Sequence, residues 1–386
     1  MKPFKKTAEP KQTALILPGG GARAAYQVGA LKALAELNPG DEEHHPFPIL
    51  SGTSSGALNA VSIASQTGTF QEACLGLENL WSILTTDHVY RSDWPGIIRN
   101  AWRLFVSLFN AGIAVGRPVG LLDNKPLKDM LRERIDFSGI GRNLQSGKLH
   151  AVSVTAMNYT EGVSVSFFQG GPGNSEWQRW RRQGIPTPLQ LRHLIASTAI
   201  PTIFPPQRIG RCYYGDGALR QLTPISPALH LGAEKVLIIS TAGHRRSYEK
   251  PYRRIHSPAF GEVLGHLLNS AFMDSLETDI EHLEKVNELL SLIPEKALKE
   301  KEISYKPVDI HVLSPSVDID NLAEQYISSL PRSLRLFLRV TGSSSQKSGV
   351  NIASYLLFAP EFCQHLIDLG YEDTMANQEQ LKTFLS

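Results

Sequence analysis

Phe47-Pro48-Ile49-Leu50-Ser51-Gly52-Thr53-Ser54-Ser55-Gly56 runs a short apolar segment into a Gly-x-Ser-x-Gly turn. The segment reads as a strand, and the turn as a sharp strand-to-helix corner with Ser54 at its tip. Such a corner forces strained backbone angles, so Gly52 and Gly56 supply the small neighbours it needs. It lifts the Ser54 hydroxyl clear of the sheet and aims the amides after it, Ser55 first, at the same space. That is a geometry for acyl transfer. In a chain with 31 glycines the pattern alone is a modest signal, and its weight comes from two other stretches.

The first is Thr13-Ala14-Leu15-Ile16-Leu17 followed by Pro18-Gly19-Gly20-Gly21-Ala22-Arg23. From Ala24 the pattern turns helical, with Tyr26, Ala30, Leu31 and Leu34 on one face and Gly29 permitting close packing. Three glycines before a helix leave N–H groups bare at the positive end of the helix dipole. Such a nest can hold a phosphate or a developing oxyanion, and a tight turn without a ligand is the plain alternative. The nucleotide readings fail: there is no Gly-Lys-Ser/Thr, Ala24 stands where G-x-G-x-x-G needs its third glycine, and no ribose-binding acid follows at about 20 residues. The second stretch is Arg211-Cys212-Tyr213-Tyr214 followed by Gly215-Asp216-Gly217-Ala218. An Asp between glycines is commonly a turn residue, but Gly215 and Gly217 also let a carboxylate approach another loop closely.

Gly-Gly-Gly-x-Arg, Gly-x-Ser-x-Gly and Asp-Gly-Ala, in that order, resemble the patatin-like phospholipases, lipid acyl hydrolases with a Ser–Asp dyad. Ala196 to Pro201 with Phe204-Pro205-Pro206, Thr223-Pro224-Ile225 with Gly232-Ala233 and the run Val236 to Thr241, and Gly120-Leu121-Leu122-Asp123 with Pro126-Leu127 resemble further family segments. The resemblance covers residues 11–242 well and the remainder loosely. It implies an α/β fold of three layers, with a mostly parallel central sheet, helices on both faces and a helical C-terminal extension. It implies Ser54 as nucleophile, Asp216 as the base that accepts its proton, and Gly19, Gly20 and Gly21 as the oxyanion hole. The substrate it implies is a lipid ester, cleaved without a cofactor or metal. Arg23 is left with two roles, positioning the loop or meeting a phosphate head group, beside an ordinary surface place. The family usually has glycine after that Arg, where this chain has Ala24, whose methyl could narrow the loop. The rival enzyme is a Ser–His–Asp hydrolase using His230, His244 or His256; His193 reads as packing or solvated. A family fold that binds lipid with weak turnover is the non-enzymatic alternative.

Composition fits an ordinary globular enzyme. A net charge of +2 from 39 basic and 37 acidic residues gives no reason to expect nucleic acid as a partner. Cys74, Cys212 and Cys363 are widely spaced and odd in number, which suits a reducing compartment, the cytoplasm, better than a disulfide framework or metal set. Lys2, Lys5, Lys6 and Lys11 precede an apolar run too short for a secretory signal, and no run reaches the roughly 18 apolar residues of a membrane span. Peripheral membrane contact stays open at residues 97–115. There Ile97, Ile98, Trp102, Phe105, Leu108 and Phe109 recur at helical spacing with Arg91, Arg99 and Arg103 nearby, and no acid lies between Trp94 and Leu122. That pattern suits an interfacial helix, a lid over an acyl pocket, or plain core.

The punctuation divides the chain into a charged tail at 1–10, a catalytic domain at 11–242 and a mainly helical extension at 243–386 packed upon it. Leu149–Ala156 and Val163–Phe168 around Asn158–Gly162 read as a hairpin. A long helix is expected from Phe260 to Leu290, a strand at Asp309–Leu313, and helices at Leu322–Val340 and Glu361–Leu369 around a Ser-rich loop at Ser343–Ser348.

Overall fold

Ala14, Leu15, Ile16 and Leu17 are all buried, as are all five residues of Ile49–Thr53 and all eight of Ala151–Asn158. Burial of consecutive residues, rather than alternate ones, belongs to strands covered on both faces. The computed structural model describes residues 12–38, 44–109, 118–171, 173–221, 223–243, 275–294, 306–340 and 352–386, with 263, 266, 270 and 298 besides. Among them a ten-stranded sheet forms the middle layer. Its strands are β1 (Thr13–Leu17), β2 (Ile49–Thr53), β3 (Ala151–Asn158), β4 (Val163–Gly170), β5 (Trp177–Arg179), β6 (Arg182–Pro186), β7 (Gln207–Ile209), β8 (Cys212–Asp216), β9 (Lys235–Ile239) and β10 (Asp309–Leu313). The order is β10-β9-β1-β2-β3-β4-β6-β5, with β8 also on β3 and β7 on β8. The run from β10 to β3 is parallel, and the β3–β4 hairpin brings in an antiparallel partner. The hairpin turn is closed by Asn158 Oδ1, which accepts from the amides of Thr160 and Glu161 at 3.0 and 3.3 Å.

Alternation along these strands splits the core in two. Leu15, Leu17, Leu50, Val152, Val154, Leu237 and Ile239 face one helical layer. Ala14, Ile16, Ile49, Ala151, Val236 and Ile238 face the other. The first layer holds α1 (Ala25–Leu37), α2 (Ser55–Ser65), α3 (Phe70–Ser82) and the inner side of α4 (Trp94–Phe109). The helix α5 (Leu191–Ser197) packs against β3 and β8. Among the described residues the second layer holds Ser226–His230 and α6 (Ser275–Ser291), whose Leu276, Ile280 and Leu283 pack on the far face. Each buried aliphatic side chain contributes about 1.5–3 kcal/mol here.

The C-terminal extension is built into this frame. β10 pairs with β9 in parallel register, so the change of pattern at 242 does not mark the edge of the sheet. The helix α7 (Arg332–Val340) follows Pro331, and Leu330 before it is extended, which breaks the expected Leu322–Val340 helix in two. Pro360 opens α8 (Pro360–Ala376), several residues longer than the periodicity predicts. It lies along α1 at close range: a Cβ on Gly29 would sit 2.6 Å from the Ile367 carbonyl carbon, and one on Gly370 3.0 Å from the Ala30 nitrogen. The tail at 1–10, most of Phe260–Ala271, Ser343–Ser348, His244 and His256 lie outside the described residues.

Candidate active site

β2 ends at Thr53 and α2 begins at Ser55, leaving Ser54 alone at the corner with φ 55° and ψ −129°. A positive φ on a serine is strained and persists only where the surroundings impose it. Here they do. A Cβ on Gly52 would sit 2.6 Å from the Gly56 carbonyl oxygen, and one on Gly56 2.5 Å from that of Pro18, so both flanking glycines are sterically required. The Ser54 amide donates to Ser197 Oγ at 2.8 Å, and Ser197 Oγ donates to the Thr155 carbonyl at 2.6 Å. Thr53 Oγ1 donates to Gln221 Oε1 at 2.5 Å. The supporting roles of Ser197 and Gln221 were not read from the sequence. Ser197 sits in a segment marked only by family likeness, and Gln221 carries no local signal.

Strand register brings the carboxylate to this corner. Along β3, Thr155 pairs with Thr53 of β2, and the next residue, Ala156, pairs with Asp216 of β8. β8 therefore takes over the edge of β3 where β2 turns away, which sets Asp216 beside Ser54. Ser54 Oγ and Asp216 Oδ2 are 2.6 Å apart. Asp216 Oδ1 accepts from the Ala218 amide at 3.0 Å. Gly217 is needed because a Cβ there would lie 2.7 Å from the Thr155 carbonyl carbon, whereas a Cβ on Gly215 would meet only the Tyr159 ring, at 2.5 Å. Asp216 is fully buried, and burial pushes its pKa up to about 7, against the pull of its bonds to Ser54 and Ala218. A carboxyl tuned to neutrality and bonded to a serine is suited to accept and return a proton.

Among the described residues no histidine bonds to Ser54 or Asp216. His193 Nδ1 accepts from the Gln190 amide at 3.0 Å and its ring packs on Phe167, a capping and packing role. The His230 ring stacks on Trp177 with centroids 4.8 Å apart.

The glycine loop lies against the corner. Gly20 N–H donates to Ser55 Oγ at 3.1 Å, Thr241 Oγ1 donates to the Gly19 carbonyl at 2.8 Å, and Gln27 Nε2 donates to the Pro18 carbonyl at 2.8 Å. Gly21 takes φ 57°, the left-handed region that favours glycine. Two expectations need correction. The three amides are not all bare, since that of Gly20 is bonded to Ser55. Arg23 is neither at the surface nor set to meet a head group, because it is buried and its guanidinium is bonded to Asp320 and Ser354. Ala24 is fully buried among core side chains, where its methyl adds packing.

The sequence profile described as Patatin-like phospholipase matches residues 15–229, more than half of the chain. The chain belongs to the patatin-like phospholipase family. No curated protein matches it. Similar solved structures include VipD from Legionella pneumophila (14% identity, 96% of this chain and 67% of that one, TM-score 0.36) and human GIVD cytosolic phospholipase A2 (12% identity, 97% and 60%, TM-score 0.43). At such values neither structure bears on the chemistry of this patatin-like chain, which spans about two thirds or less of their length. Family membership does support a lipid acyl hydrolase in general terms. Among the described residues, no helix is long and apolar enough to cross a membrane and no side-chain cluster could hold a metal ion.

Proposed function

We propose that the chain hydrolyses carboxylic esters of lipids, of the phospholipase A, lysophospholipase or esterase type, through a Ser54–Asp216 dyad. The observation that carries this reading is the 2.6 Å contact between the Ser54 hydroxyl and a buried carboxylate at a strained corner. Asp216 takes the hydroxyl proton as Ser54 Oγ attacks the ester carbonyl. Backbone amides of the glycine loop other than that of Gly20, which is bonded to Ser55 Oγ, together with the Ser55 amide hold the oxyanion, each donor contributing on the order of 3 kcal/mol. Asp216 then protonates the leaving alcohol. Water, deprotonated by the same carboxylate, attacks the acyl-enzyme and releases the fatty acid, restoring the serine.

The base must be ionised to act, and the folded protein holds its pKa near 7. On a soluble short-chain ester, kcat/KM is therefore expected to rise about tenfold per pH unit below 7 and to level off above it. The rising limb should persist when His230, His244 and His256 are each replaced by Ala. A profile flat between pH 5 and 8, or a limb lost with any one histidine, would contradict the dyad.

The same reading includes a peripheral lipid contact. α4 turns Ile97, Ala101 and Leu104 inward, while Trp94, Ile98 and Trp102 are 43, 60 and 64% exposed, with Arg91 and Arg99 exposed beside them. Over residues 94–104 the core alternative thus holds for one face only; the side chains of Phe105, Leu108 and Phe109, and residues 110–115, lie outside what the structure describes. Leu336 of α7 is exposed nearby, α7 being joined to the approach to α4 by Ser333 Oγ donating to the Ser92 carbonyl at 2.5 Å. Aromatic rings with flanking arginines suit an anionic lipid surface. Replacing Trp94, Ile98 and Trp102 together by Ala should weaken co-sedimentation with phosphatidylglycerol vesicles about tenfold or more, and unchanged sedimentation would refute the contact.

A further inference from the structure

The glycine loop is bonded on one side to Ser55, Thr241 and Gln27, all within the catalytic half of the chain or at its margin. Its other side is held from far away. Arg23 lies two residues after Gly21 on the short helical turn Gly21–Ala24, and its amide donates to the Gly20 carbonyl at 3.1 Å. Its side chain is 2% exposed. Nε and Nη2 both donate to Ser354 Oγ, at 2.9 and 2.6 Å, and Nη2 is ion-paired with Asp320 Oδ1. Ser354 Oγ donates onward to the same Asp320 oxygen at 2.8 Å. The guanidinium carbon stands 4.1 Å from the centre of the Tyr355 ring, and the Tyr355 backbone fills the space where a Gly21 Cβ would be, its carbonyl carbon 2.9 Å from that position. All three partners lie beyond residue 229, outside the stretch that the family profile matches.

We propose that Asp320 and Ser354 are positioning residues for the oxyanion loop, acting through Arg23, so that the C-terminal extension completes the catalytic site rather than merely covering it. The inference rests on the serine-hydrolase reading above. Its physical basis is that an Arg guanidinium fixed by several bonds is rigid, and a rigid side chain on the turn sets the direction of the glycine amides. Oxyanion donors act by being aimed in advance, and a shift of about 1 Å in such a group costs on the order of 100-fold in rate.

Removing one charge of a buried pair strands the other and risks unfolding, whereas replacing both with apolar residues of similar size is often tolerated. Three variants therefore test the clamp: Ser354→Ala, Asp320→Asn, and the double change Arg23→Met with Asp320→Leu. Kinetics on p-nitrophenyl butyrate and the acylation rate with a fluorophosphonate are measured together with Tm, and Asp320→Glu serves as the conservative rescue. The expected result in the folded variants is a kcat lower by about 10- to 100-fold, KM within about threefold of wild type, a parallel fall in acylation rate, and partial recovery with Asp320→Glu. Wild-type kcat in any folded variant overturns the clamp. So does an activity loss that merely tracks the loss of folded protein in all three. Ser54→Ala is the control: if it is inactive while the clamp variants turn over normally, only the clamp falls, and if it retains turnover the serine mechanism itself falls.

Discussion

Ser54→Ala is expected to fold with a Tm within about 2 °C of wild type and to lose at least about 1,000-fold in kcat on any carboxylic ester. The fold should tolerate the change because the elbow is held by contacts the hydroxyl does not make. Gly52 and Gly56 fit only as glycines, the Ser54 amide is bonded to Ser197, and the positive φ is imposed by those neighbours. The hydroxyl's own bond goes to Asp216 alone among the described groups. Removing it deletes the nucleophile and leaves the glycine loop intact, so only weak residual catalysis from binding and oxyanion stabilisation is expected. The check is steady-state turnover of a chromogenic ester by the purified variant beside its melting curve. Turnover within about tenfold of wild type would show that another group attacks.

Asp216→Asn is the companion prediction, and its two effects should have opposite signs. Activity should fall by about 100- to 10,000-fold, because the amide cannot take the serine proton. Stability should not fall with it. Burial raises the folded-state pKa of Asp216 from 3.8 to about 7, so its favourable contribution is complete below pH 3.8 and is lost as pH rises through 7. At pH 8 wild type carries a buried charge that the neutral amide does not. The Asn variant should therefore melt at or above the wild-type Tm at pH 8, with the difference shrinking toward pH 5. Retained activity would exclude Asp216 as the base. A sharply lower Tm at pH 8 would show that its role is mainly structural.

Much of the candidate site could be read along the chain because each part has a short, local cause. Gly52, Gly56 and Gly217 are glycines since backbone passes where their side chains would be, Gly215 faces the Tyr159 ring, and a short strand precedes each pair. The meeting of Ser54 and Asp216 had only family likeness behind it. Its cause is the register of β3, which changes partner from β2 to β8 between Thr155 and Ala156, and no local pattern encodes that change. The place of Arg23 is hidden from the local sequence for a related reason. A lone arginine beside glycines looks solvated or ligand-binding until Asp320 and Ser354, some 300 residues further on, are folded against it. Gln27 and Asn59 were also silent: they read as polar positions on helices, yet they bond to each other and to the carbonyls of Pro18 and Ala24 within the core. In α4 the spacing shows the stripe but not which way each residue faces. Ile97 and Ile98 are neighbours in sequence and therefore point about 100° apart, one into the core and one outward. Pro331 is the local signal for the helix break, and the apolar periodicity that runs across it masks that signal.

The most direct test of the central claim is the site of covalent capture by a fluorophosphonate, read by peptide mass spectrometry in wild type, Ser54→Ala and Asp216→Asn. A single adduct on Ser54, absent in Ser54→Ala and formed at least about 100-fold more slowly in Asp216→Asn, is the expected result. An adduct on another residue, or equally fast capture without the carboxylate, would contradict it.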